Sequence, residues 1–310
     1  MGKPVFYFSF IAALLFLVIS CGKDPVYGEI PDPDEDENLV PDGILWGSSF
    51  YAGPGETRQA AYTRVKNTFS NHHITRVFCA TDPEWPTYLP TETLVQISFK
   101  YKPADVLNGS KDIILGNFFS KLATKTTIYW TYFHEPEDEI QKGDFTAKEY
   151  RKAFDYIIDL SKKLNKPNLI PTLCLMAYSV KPESGRNWRD YVPGKVELIS
   201  WDGYYADSYG EDVSKIFGPV REVMKTVNLP WGVAETGVNK RKKQGQVNED
   251  TNIETRKRLL TALARDLSTV GPLPVYVQYF DSAPPQDAAY SDWRISTEAG
   301  MVAAWEAGQE

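Results

Sequence analysis

From residue 44 onward, short runs of β-branched and aromatic residues alternate with stretches whose apolar residues recur every three or four positions. The runs are ILWGSSFY (44–51), ITRVFCA (74–80), LVQISFKY (94–101), TTIYWTYFH (126–134), NLIPTLCLMAY (168–178), VELISWDGYY (196–205), PWGVAETG (230–237) and PVYVQYFDS (274–282). They read as eight strands. Helical spacing fills most of the gaps between them. A capping box opens at Thr146, with Glu149 three residues on, and behind it Tyr150, Phe154, Ile157, Ile158, Ser161 and Leu164 share one face. Val213, Ile216, Phe217, Val220, Val223, Met224 and Val227 keep the same period, with Pro219 expected to bend that helix. Ile253, Leu260, Leu263, Ala264 and Leu267 mark another, and Met301, Ala304 and Trp305 a short last one. The connections after Ala80 and after Tyr178 have weak helical patterns and are expected to be loops.

Eight strands alternating with helices over one uninterrupted stretch predict an α/β chain folded as a single (β/α)8 barrel, an architecture of about 250 residues. A doubly wound open sheet is the competing arrangement. It normally carries a glycine-rich first turn, and GSSFYAGPGE fits neither GxGxxG nor a phosphate-binding loop. No internal repeat and no second domain are visible.

Ahead of the strands the pattern changes. Residues 1–20 hold one lysine and a continuous apolar run of secretory length, ending in VIS before Cys21. This predicts a bacterial lipoprotein signal with Cys21 as the lipidated residue. Residues 21–41 are rich in proline and acid and poor in core-forming types, so they read as a tether. As a flexible chain it would span roughly 25 Å. The folded body then occupies residues 42–310, exported to the bacterial cell envelope and held to the membrane through Cys21, in the outer membrane or at the cell surface.

Charge narrows the partners. The 310-residue chain carries 34 basic and 41 acidic residues; removing residues 1–20 takes away Lys3 and no acid, so the formal charge moves from −7 to −8. No basic face is present to displace counterions from phosphates, and nucleic acid is not expected as a partner. Cys79 and Cys174 each lie in a strand-like run and are expected as two buried thiols. His72 and His73 precede the second strand, and with His134 they exhaust the histidines, so no histidine metal site and no cofactor are expected. No serine or cysteine sits in a nucleophile elbow. A monomer is expected.

The chemistry concentrates in YWTYFHEPEDE (129–139), where a strand runs into a cluster of acids. In a (β/α)8 barrel reactive groups come from the C-terminal ends of strands, which is where His134 and Glu135 fall on strand four and Glu235 on strand seven. A barrel about 15 Å across would leave two such inward glutamates with carboxyls roughly 5 to 7 Å apart. Retaining glycosidases hold theirs about 5 to 5.5 Å apart. The plain alternative is that each glutamate forms a salt bridge at a strand end.

These features resemble the glycoside hydrolases of clan A, and within it family 26, in which a histidine precedes the acid/base glutamate. The resemblance rests on HEPE (134–137), AETG (234–237) and the Asp-x-Tyr pattern of WDGYY (201–205), and it spans the whole barrel. It implies Glu135 as acid/base, Glu235 as nucleophile, and His134 and Tyr204, with Asp202 in register, as partners that orient them. Two departures bear on the sugar. Mannan-cleaving members place a tryptophan shortly after the acid/base and a histidine near the end of strand three, and neither is present. The resemblance therefore implies a retaining, endo-acting hydrolase of a β-linked polysaccharide or oligosaccharide, mannan or a related β-glycan, without fixing the sugar. The other reading is a surface glycan-binding lipoprotein that keeps the barrel without the chemistry.

Further substrate contacts are sought among aromatics. Trp85, in a polar, proline-bounded loop after strand two, is the foremost platform for a pyranose ring, with Trp201, Tyr205 and Trp293 behind it. Lys100 at the end of strand three is a candidate sugar contact. Glu137, Asp138 and Glu139 read as a solvated loop face, and NKRKKQG (239–245) as a charged excursion at the rim of the site.

Overall fold

The computed structural model describes residues 43–244, 247–250, 252–282 and 292–310. The leader, Cys21 and the whole of the tether lie outside the described residues. Eight parallel strands close into a barrel: β1 (Leu45–Ser48), β2 (Ile74–Cys79), β3 (Leu94–Phe99), β4 (Ile128–Tyr132), β5 (Leu169–Met176), β6 (Leu198–Tyr204), β7 (Trp231–Gly237) and, after a hairpin, β10 (Tyr276–Tyr279). Each sits inside one of the apolar runs, trimmed by a few residues at its ends. β10 pairs with β1 from Leu45↔Tyr276 to Ser48↔Tyr279 and so completes the ring.

Helices cover the outside. They are α1 (Arg58–Thr68), α2 (Pro103–Leu107), α3 (Asp112–Lys121), α4 (Glu137–Lys142), α5 (Ala147–Lys162), α6 (Ser214–Met224), α7 (Ile253–Thr269) and α8 (Met301–Glu306). The capping box forms as expected: Thr146 Oγ1 accepts from the Glu149 N–H, and the Glu149 carboxylate accepts from the Thr146 N–H. Pro219 lies inside α6. The two connections without helical period contain no α-helix. Residues 80–93 join β2 to β3 directly, and three short 3-10 turns between Ala177 and Tyr191 lead from β5 to β6. The segment after β7 is a two-stranded antiparallel hairpin, β8 (Arg241–Gln244) and β9 (Val247–Asp250), where a plain loop was expected.

Strand alternation sorts the core into two. Val95, Ile97, Trp130, Leu173, Ile199, Trp201, Val233 and Val277 face outward onto the helices in one large cluster. Leu45, Ile74, Tyr129, Cys174, Leu198, Ala234 and Tyr276 fill the barrel. At Gly232 a Cβ would lie 2.6 Å from the Tyr276 ring, so the filled interior leaves room for hydrogen only. Above this floor is a polar layer in which the Gln278 amide donates to Gln96 Oε1 (2.6 Å) and the Gln96 amide to Thr131 Oγ1 (3.1 Å). The site rests on that layer, at the C-terminal end of the barrel.

Candidate active site

Two backbone irregularities aim the two glutamates. Along β7, Trp231 and Val233 face the helices while Gly232 and Ala234 face inward, so strict alternation would turn Glu235 outward. Between the pairings Trp201↔Val233 and Asp202↔Glu235 the register slips by one residue, and β10 slips against β7 over the same segment. This bulge brings Glu235 to the inside beside Asp202. After β4, Phe133 and Glu135 adopt left-handed backbone, with φ of 49° and 52°. The neighbouring strands over-determine this strained path: the Phe133 N–H donates to Phe99 O on one side (2.8 Å), and the Glu135 N–H to Cys174 O on the other (3.0 Å).

Glu235 is the more tightly held of the pair. The Tyr204 hydroxyl donates to its Oε2 at 2.5 Å, and Arg76 Nη2 lies 3.4 Å from its Oε1. Arg76 is fully buried, with its guanidinium 4.8 Å from the centre of the Phe78 ring. Of the site's carboxyls, Glu235 is the one this buried cation touches. Glu135 and Asp202 are instead pushed toward their protonated forms. Burial, then the charges of Glu235 and Glu137, push the Glu135 carboxyl up to about 8, against smaller pulls from Lys100 and Arg76. Burial, then Glu235 and Glu135, also push Asp202 well above the carboxylate range, and the Cys174 thiol lies 3.2 Å from its Oδ2. Burial, followed by Lys100 and Arg76, keeps His134 well below its ordinary value, so its ring is neutral.

Glu135, Glu235, His134 and Arg76 line one cavity of about 450 Å³, walled by Phe50, Tyr51, Phe78, Tyr88, Arg58 and Phe280 among others. A smaller recess of about 180 Å³ adjoins Glu135, Asp202 and Tyr204 and extends toward the β5–β6 turns. Among the described residues no group of three or more His, Cys, Asp or Glu side chains is placed to hold a metal ion.

Several sequence expectations need correction. His134 hydrogen-bonds neither glutamate among the described residues; its ring packs edge-on to Phe78 at 5.4 Å and borders the cavity. Trp201 is fully buried on the outer face of β6 against Trp188, because alternation that turns Asp202 and Tyr204 inward turns Trp201 outward. Tyr205 donates to Gly210 O at 2.6 Å and supports Tyr209, away from the cavity wall. Trp85 folds back on its own loop, Nε1 donating to Leu89 O, and it is Tyr88 from that loop that borders the cavity. Lys100 stands over the Phe133 ring at 4.9 Å and acts on His134 and Glu135 only through its charge. Trp293 backs Tyr204 at 5.1 Å. Cys79 is partly exposed, while Cys174 lies inside the barrel; both are free.

Glu137 is not a solvated loop residue. It is fully buried, and its Oε1 accepts from the Met176 N–H (2.8 Å) and the Ser179 hydroxyl (2.9 Å), clamping the start of α4 to the end of β5. Arg76 was also missed, although Ile74, Arg76 and Phe78 at alternate positions place an arginine on the inner face of a strand.

No family model and no curated protein matches the sequence. Solved structures do. A family 26 β-mannanase from Bacteroides ovatus aligns at 12% identity and a TM-score of 0.54 over 87% of this chain and 89% of its own. A modular endo-β-1,4-mannanase of family 26 from Cellulomonas fimi aligns at 13% and 0.59, over 86% and 71%. A family 128 endo-β-1,3-glucanase variant from Amycolatopsis mediterranei, in complex with laminaripentaose, aligns at 14% and 0.51, over 84% and 100%. The likeness is one of fold, and in fold this chain is similar to the family 26 glycoside hydrolases.

Proposed function

We propose that this protein is a retaining glycoside hydrolase acting on β-linked glycans, with Glu235 as nucleophile and Glu135 as acid/base. The observation that carries the reading is a pair of carboxyls bordering one cavity from β4 and β7 in opposite electrostatic settings. Glu235 sits against a buried arginine, and Glu135 is kept protonated at neutral pH.

In the first step a Glu235 oxygen attacks the anomeric carbon. The bond to the leaving sugar breaks, and the departing oxygen takes the Glu135 proton. Glu235 is then an uncharged ester. The repulsion that helped to raise Glu135 is lifted, so Glu135 is stable as a carboxylate and fit to act as base. In the second step it removes a proton from water, the oxygen attacks the anomeric carbon, and Glu235 departs as a carboxylate. Tyr204 and Arg76 hold the nucleophile in place through both steps.

The same reading includes endo-action on a polysaccharide and anchoring through Cys21 after export. Both rest on the sequence, and Cys21→Ala is expected to release the protein from membranes.

The test uses an activated aryl β-glycoside. Glu235→Ala should be inert on it. Glu135→Ala should form the glycosyl-enzyme and stall, with added azide restoring turnover to a β-glycosyl azide. NMR of fresh digests by the parent enzyme should show the β-anomer first. An inverted first product, or identical behaviour of the two variants without azide rescue, would refute the assignment. Glycan binding without any turnover would favour the non-catalytic lipoprotein.

A further inference from the structure

Four cationic side chains are buried among the described residues: Arg76, Arg221, Arg256 and Lys181. Three have a carboxylate. Arg76 lies 3.4 Å from Glu235, Arg221 is 2.8 Å from Asp266, and Arg256 is 3.0 Å from Glu298. Lys181 pairs with no carboxylate among the described residues. Its ammonium donates to the Tyr209 hydroxyl at 2.7 Å and lies 4.4 Å from the centre of that ring. Burying an ammonium without a counter-charge is costly.

Lys181 follows the first 3-10 turn after β5 and lines the smaller recess with Tyr209, Tyr178 and Glu135. This recess borders Glu135 and not Glu235, whereas the larger cavity borders both. In the reaction above, the nucleophile meets the anomeric carbon and the acid meets the departing oxygen. The cavity touching both glutamates therefore takes the sugar that is attacked, and the recess touching Glu135 alone lies under the leaving group. Tyr178, 46% exposed, offers an aromatic face at its edge. The Tyr209 hydroxyl accepts from Lys181, so its own proton is free to point into the recess beside the ammonium.

We propose, building on the hydrolase reading, that this recess selects a leaving-group sugar bearing an anionic substituent, a uronate carboxylate or a sulfate ester. Lys181 supplies the charge and Tyr209 a second donor. A chain with net negative charge repels acidic glycans in general, and Lys181 supplies a counter-charge on the leaving-group side.

The experiment uses the full-length protein and oligosaccharides of β-1,3-glucan, β-1,4-glucan and β-1,4-mannan. Each is tested neutral, oxidised at C6 to the uronate, and sulfated. The wild type should show a higher kcat/KM on one acidic form than on its neutral parent; which form it is distinguishes carboxylate from sulfate. In Lys181→Met the acidic-to-neutral ratio should fall by about 10- to 100-fold, the range for a hydrogen bond to a charged group. Tyr209→Phe should lower it by less, and provides a second variant if the first does not fold. Calorimetry of the same oligosaccharides with Glu235→Gln, with and without Lys181→Met, gives a readout independent of turnover. Cleavage of neutral forms at least as fast as acidic ones, with the ratio unmoved by either variant, would overturn the anion site and leave the hydrolase standing. Lys181-dependent binding of acidic forms without any cleavage by the wild type would overturn the hydrolase and keep the site. Neither cleavage nor binding would remove both.

Discussion

Replacing Glu137 by glutamine should make the protein more stable relative to the wild type as pH rises, in a defined window. Glu137 is fully buried, and burial pushes its carboxyl up to about 7, against the opposing effect of hydrogen bonds from its own N–H, the Met176 N–H and Ser179 and of the Arg186 charge. A carboxyl raised in the folded state contributes stability that is complete below its unfolded value, near 4.5, and is lost as pH climbs through its folded value. About 2.5 pH units at about 1.4 kcal/mol each amounts to roughly 3.5 kcal/mol. Glutamine keeps the acceptor that Met176 and Ser179 use but does not titrate. Its new NH2 replaces Oε2, which has no partner among the described residues, and a buried unpaired donor costs about 1–3 kcal/mol at every pH. The intercept can therefore have either sign, while the slope cannot. In urea unfolding at a series of pH values, the stability of Glu137→Gln minus that of the wild type should rise by up to about 1.4 kcal/mol per unit between about 4.5 and 7, then level off. The Glu137 charge also helps to raise Glu135, so the alkaline limb of kcat/KM should move to lower pH in this variant. A difference that is flat or falling across the window would show that Glu137 is not a strained buried acid.

Other outcomes follow from single contacts. Tyr204→Phe removes the 2.5 Å hydrogen bond to Glu235 but leaves a ring packed between Phe280 and Trp293; kcat should drop by about 100-fold or more in single-turnover assays, with little change in melting temperature. Gly203→Ala would place a Cβ 2.9 Å from the Phe217 ring and 3.0 Å from Ala177 Cβ, and should destabilise by about 1–3 kcal/mol in denaturant titrations. Thr146→Ala removes an exposed helix cap and should lower stability by about 1 kcal/mol without altering kinetics.

What could be read from the order of residues alone was whatever local periodicity encodes. All eight barrel strands fell within runs picked out by their apolar pattern. The two helix-free crossovers were visible as missing period, and the α5 cap as a four-residue box. Glu135 and Glu235 were legible as acids at the ends of buried strands. Alternation on β6 already held the answer for Trp201, since side chains at odd and even positions of a strand cannot face the same way; counting from Asp202 would have sent it outward. The rest depended on contacts distant in sequence. Alternation by itself turns Glu235 toward the helices, and only the register of β7 against both β6 and β10 creates the bulge that brings it inside. Glu137 looks like part of a charged loop because its partners, Met176 and Ser179, lie about forty residues away on another strand and turn. Lys181 is buried by direct packing against Tyr209, beside a recess that exists only once the barrel has closed. Period reports which face a residue occupies on its own element, whereas protonation, burial and cavity walls are set by what other elements bring to that face.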